Sequence, residues 1–128
     1  MPALIAAGCI ALIAGPNGKR EIPIEEFHIG PGKTVLDNGE MLVSLKFPKR
    51  EINSSDTYLR MTPRTEMDIA VVGCGVNITF ENNVCTSARV SLGAVAPTPL
   101  LIKEASKIMV GSDPVSYTHL TLPTIYSV

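Results

Sequence analysis

Residues 58–99 read YLRMTPRTEMDIAVVGCGVNITFENNVCTSARVSLGAVAPTP, and the fold class turns on how this stretch divides. It opens as a polar segment carrying Arg60, Arg64, Glu66 and Asp68, expected to be a loop. Residues 67–80 are then apolar on both sides, which predicts a short helical turn leading into a long buried strand. Glu81-Asn82-Asn83 turns the chain, residues 84–96 return as a second strand, and Pro97 and Pro99 stop it. Beyond them Leu101, Ile102, Ala105, Ile108 and Met109 recur at helical spacing. A helix over 100–110, lying on the strands and ended by Gly111, is expected. Strands covered by a helix make an α+β module.

Working upstream, residues 2–7 have helical composition with Gly8 as a stop, and residues 9–14 fit a buried strand. Gly15-Pro16-Asn17-Gly18-Lys19 is a turn, after which residues 20–24 alternate, so the pair reads as a hairpin. Glu25, Glu26 and Phe27 can form a single helical turn. Residues 41–47, MLVSLKF, predict a strand with Met41, Val43, Leu45 and Phe47 on one side and Leu42, Ser44 and Lys46 on the other. Pro48 ends it, and the polar residues 49–57 are read as a linker. Two units follow from this division, residues 1–48 and residues 52–113.

With 128 residues, 45% apolar and 18% charged, the chain has the composition of a folded domain. A formal net charge of -1 and the absence of Trp argue against nucleic acid as a partner. The apolar residues 1–14 lack a cationic start and are too few to span a membrane, which needs about 20. Cys9, Cys74 and Cys85 form no CxxC pair and no ligand cluster with His28 or His119. They read as reduced thiols, and a cytoplasmic location is expected. Gly73-Cys74-Gly75 has Ile78 where a dinucleotide fingerprint needs a third glycine. These glycines are read instead as places where something approaches the sheet backbone closely. Arg60, Arg64, Glu66 and Asp68 form the one charged cluster abutting an apolar run. It is either a surface salt-bridge network or a means of tuning an electron carrier by fixed charge.

From Val115 the character changes to VSYTHLTLPTIYSV. Residues 115–124 are what GTC TCT TAT ACA CAT CTG ACG CTG CCG ACG encodes, a string resembling a transposon-end sequencing adapter. Residues 115–128 are therefore expected not to be native, His119 carries no functional argument, and the native part is a piece of a larger subunit.

EEFHIGPGKTVLDNGEMLVSLKFP (Glu25 to Pro48), YLRMTPRTEMDIAVV and ARVSLGAVAPTP follow one another in an order and spacing that resemble the FAD-binding medium subunit of the molybdenum hydroxylases, the xanthine dehydrogenase and carbon monoxide dehydrogenase flavoproteins. The resemblance implies the end of a PCMH-type FAD-binding domain followed by a small antiparallel sheet covered by helices. It also implies that Leu42 lies against the isoalloxazine ring and that Arg60 stands where a Lys commonly contacts the flavin. Arg64 and the residues up to Asp68 would belong to a mobile loop beside the ring. His28, where relatives often carry Phe, and Pro31, where several carry an aromatic residue, depart from the pattern.

The implied activity is electron relay. A large molybdenum subunit hydroxylates a substrate, iron–sulfur clusters on another subunit pass the electrons on, and FAD delivers them to NAD or another acceptor. The molybdenum cofactor and the clusters are expected on those partners. The isolated chain lacks the glycine-rich loops that cradle the FAD diphosphate, so it is expected to bind FAD weakly, to be inactive alone and to be marginally stable. Two other readings stand beside this one: a small cofactor-free α+β interaction module, and a flavoprotein oxidase without molybdenum partners.

Overall fold

The computed structural model describes residues 1–64 and 69–112. The reading of residues 115–128, and the placement of Glu66 and Asp68, fall outside them. Helix α1 (Pro2–Ala6) leads into the hairpin of β1 (Ile10–Gly15) and β2 (Gly18–Pro23). A single 3-10 turn (Ile24–Glu26), the short pair β3 (His28–Gly30) and β4 (Lys33–Thr34), and strand β5 (Met41–Lys46) follow. The rest comprises β6 (Ser54–Met61), β7 (Val72–Glu81), β8 (Val84–Gly93), β9 (Leu100–Leu101) and helix α2 (Lys103–Met109). All strand pairs are antiparallel. One sheet runs in the order β2-β1-β5 and another β6-β7-β8-β9, so the class is α+β as the pattern predicts.

Helix α1 ends where the sequence says it should. Gly8 takes φ 68°, which an L side chain adopts only at a cost, and its N–H donates to Ile5 O while Cys9 N–H donates to Leu4 O. That double closure satisfies two carbonyls the helix would otherwise leave open. The chain then reverses into β1, the central strand of its sheet, whose Ala11 and Ile13 are fully buried. Ile5, Cys9, Ile24 and Phe27 complete that core, with Leu45 packed against it. Cys9 is thus a core residue whose thiol burial pushes up from its ordinary pKa, and all three cysteines are free.

The second sheet departs from expectation at both ends. The proposed linker stops at Asn53: β6 begins at Ser54 and pairs with β7 as far as Met61 opposite Val72. Polar residues belong comfortably on an edge strand that water reaches on both faces, so polarity alone was a poor guide to a loop. Arg60 therefore lies in a strand. Residues 69–71 are not helical, so the expected helical turn does not extend over them; residues 67–68 lie outside the described part. The expected helix over 100–110 begins only at Lys103, because Leu100 and Leu101 first pair with β8 as β9. Ile108, expected against the sheet, is 79% exposed. Ser106 takes the inward place: its hydroxyl accepts from Val90 N–H and donates to Ile102 O.

Candidate functional site

Strand β5 carries Leu42 along the outer edge of its sheet. A β-bulge interrupts its pairing, with Leu12 opposite Ser44 but Ile13 opposite Leu42, leaving Val43 as the extra residue. Cross-strand partners share a face, so Leu42 stands with Ile13 and Leu45 on the core side rather than with Ser44 and Lys46. The expected alternation is overturned by that one inserted residue. Ile13 is sealed and Leu42 is 36% exposed, which leaves an apolar side chain at the rim of the core.

The entry to β5 is held by a clamp that the sequence did not announce. Arg20 Nε donates to Glu40 Oε1 (2.9 Å), and Arg20 Nη2 donates to Glu40 Oε2 (2.6 Å) and to Val35 O (2.9 Å). Asp37 N–H donates to Glu40 Oε2 at 2.8 Å. Gly15 makes room, since a Cβ there would sit 2.6 Å from Glu40 Cγ. The hydrogen bonds from Arg20 and then Asp37 hold the Glu40 carboxyl below its ordinary pKa, and its carboxylate holds Arg20 above its own. Forked guanidinium–carboxylate pairs fix orientation as well as distance. The fork, at Glu40 two residues before Leu42, therefore sets where β5 starts.

On β6, Tyr58 lies opposite Gly75 and Arg60 opposite Gly73. Their shared face is the one on which α1 rests, because a Cβ built on Gly75 would be 2.7 Å from Pro2 O. One built on Gly73 would be 2.6 Å from Tyr58 Oη, so the phenol ring lies across that glycine. The glycines do admit close neighbours, as read. Arg60 thus emerges on the side of the sheet where the first unit sits. Arg20, Arg50 and Arg89 each meet a carboxylate, while Arg60 and Arg64 meet none among the described residues. Arg64 lies exposed just past β6, and Asp68 is outside the described residues. Strands β5 and β6 do not pair with each other, so Leu42 and Arg60 occupy separate sheets. Among the described residues no three His, Cys, Asp or Glu side chains gather as metal ligands, and no helix is long and apolar enough to cross a membrane. His28 packs edge-on against Phe27, ring centroids 5.3 Å apart.

Residues 57–121 match the family described as the CO dehydrogenase flavoprotein C-terminal domain. The chain belongs to that family. Residues 1–50 also match the FAD binding domain in molybdopterin dehydrogenase. Among curated relatives, the xanthine dehydrogenase FAD-binding subunit of Escherichia coli is 35% identical over 98 residues, covering 74% of this chain and 33% of that protein. The carbon monoxide dehydrogenase medium chain of Afipia carboxidovorans is 30% identical over 113 residues, covering 88% of this chain and 39% of that one. A crystal structure of the Cu,Mo-CO dehydrogenase superposes with a TM-score of 0.80 at 29% identity, over 88% of this chain and 39% of that chain. Quinoline 2-oxidoreductase from Pseudomonas putida gives 0.72 at 28% identity. This chain of the flavoprotein family spans between a third and two fifths of the length of these relatives.

Proposed function

We propose that this chain is part of the FAD subunit of a molybdenum-containing hydroxylase, relaying electrons from iron–sulfur clusters through FAD to NAD or another acceptor. Residues 1–48 are then the end of the FAD-binding domain and residues 52–113 its C-terminal companion. An iron–sulfur subunit and a large molybdenum subunit are the partners. Three free cysteines suit a reducing, cytoplasmic compartment.

The observation that carries the reading is Arg60, a cation with no carboxylate partner among the described residues, on the sheet face turned toward the unit that bears Leu42. Such a pair suits a flat, largely apolar ring that gains negative charge on reduction. Leu42 offers a dry contact for the ring face, and the Arg60 guanidinium offers fixed positive charge to its polar edge. Arg64, exposed just past β6, is assigned to the same edge, as is Asp68, which lies outside the described residues. When bound, FAD supplies the one- and two-electron chemistry, and nearby cations favour its reduced form. The role of Arg60 is electrostatic: it neither donates a proton nor forms a bond. Its planar fork can also hold two acceptors in one fixed plane, a geometry an ammonium does not impose.

The test uses a polypeptide extended to the length of the relatives and titrated with FAD by flavin fluorescence. Wild type is expected to bind FAD, and Arg60→Met to retain FAD while its flavin potential falls. A colourless polypeptide that takes up no FAD would end the reading.

A further inference from the structure

One guanidinium joins the two units. Arg89 lies on β8, and its Nε and Nη2 both donate to Ile5 O, at 3.1 and 2.9 Å. Nη2 also reaches Glu25 Oε1, in the 3-10 turn, at 3.2 Å. Ile5 O belongs to the last turn of α1 and already accepts from Gly8 N–H at 3.0 Å. A helix C-terminal carbonyl is a favourable place for a cation, and a fork on one oxygen constrains angle as well as distance. Arg89 thus ties β8, α1 and the turn that leads out of the first core.

Around it the seam is mostly close backbone approach and apolar contact, with Leu101 of β9 packed against the first core. Gly75 and Gly93 lie against Pro2, contacts that set how near the start of α1 comes. Ser91, fully buried, donates to Pro2 O at 2.6 Å and pins only the start of the helix. At the other end of the helix lies an open cleft of about 420 Å³, which Arg89 lines together with Ala7, Gly8, Phe47, Pro48 and Asn77.

We propose that Arg89 is a positioning residue: it fixes the angle between the two sheets and, through that angle, the place of Arg60 relative to Leu42. The functional half of this inference rests on the proposed flavin contact; the structural half does not. In the chain itself, Arg89→Met keeps the aliphatic stem and removes the fork. Amide exchange at Gly8, whose acceptor Arg89 shares, is expected to speed up by about tenfold, the scale of one lost hydrogen bond to a charged group. Amides at the centre of β7 and β8 are expected not to move. Glu25→Gln should reproduce a smaller part of the change from the other side, and it serves if Arg89→Met fails to fold. In the FAD-loaded subunit, the effect of Arg60→Met on the flavin potential should shrink in the Arg89→Met background, as coupled residues do.

Unchanged exchange at Gly8 in both variants overturns the inference. So does an Arg60→Met effect of full size in the Arg89→Met background. If Arg60→Met has no effect even with Arg89 present, the flavin contact itself is wrong and the functional half falls with it. Exchange at Gly8 then still decides the structural half.

Discussion

The two sheets are stabilised in opposite ways. The first surrounds β1 with bulk: Ile5, Ile13, Ile24 and Phe27 converge on it from helix, strand and turn. The second receives α1 by withholding bulk, presenting Gly75, Gly93 and the small Ser91 to Pro2. Its opposite face is apolar but only partly covered, since α2 lies over β8 while Leu59 and Met61 on β6 are 68% and 64% exposed. One sheet is a core in itself, and the other is a bed shaped for a neighbour. The lesson is that a strand can be specified by what it leaves out.

This contrast can be broken most forcefully at Ile13. Ile13→Ala leaves a cavity in the first core and should cost about 3 kcal/mol, read as a drop in the urea midpoint. If the loss is under about 1 kcal/mol, the first sheet is not the bulk-packed one. On the second sheet the opposite kind of change should hurt. Gly75→Ala drives a methyl against the backbone of Pro2 and should cost about 2 kcal/mol, an overpacking penalty visible in the same titration. Should Gly75→Ala leave the midpoint unmoved, α1 does not rest there. Ser91→Ala takes away the hydroxyl donor that meets Pro2 O, and about 1 kcal/mol should be lost.

Smaller again is the clamp at the entry to β5. Because Glu40 is held below its ordinary pKa in the folded chain, its stabilisation is complete above the ordinary carboxyl range and vanishes as pH falls through the lower, folded value. Wild type and Glu40→Gln should therefore converge in acid and separate as pH rises, with wild type the more stable. Curves that stay parallel at every pH would remove the clamp from the account. Least of all should Arg50→Ala matter. Its ion pair with Asp56 is largely exposed, and the urea midpoint should shift by less than the equivalent of about 0.5 kcal/mol.

The first sheet is largely legible from sequence because burial of β1 and the chemistry of the Gly15–Lys19 turn act locally. Leu42 falls on the face opposite to the one that alternation predicts, since nothing in MLVSLKF marks Val43 as unpaired; the bulge depends on the fit to β1. Arg60 lies in a strand where a loop is expected, since a polar edge strand and a solvated loop look alike until a partner strand is known. Arg20–Glu40 and Arg89–Glu25 escaped notice because each joins residues far apart in the chain, 20 and 64 positions. The nearest signal for the seam was Gly73-Cys74-Gly75, which says that something comes close but not that it is α1.

Val43 has a consequence for how such a strand can change over generations. It is a spare codon: an in-frame deletion there leaves Leu42 facing Ile13 and Ser44 facing Leu12. In an unbulged strand the same lesion would carry the proposed ring-facing leucine to the opposite side. Lineages can thus gain or lose this residue without surrendering the apolar rim, and sequence comparisons should tolerate a gap at this point.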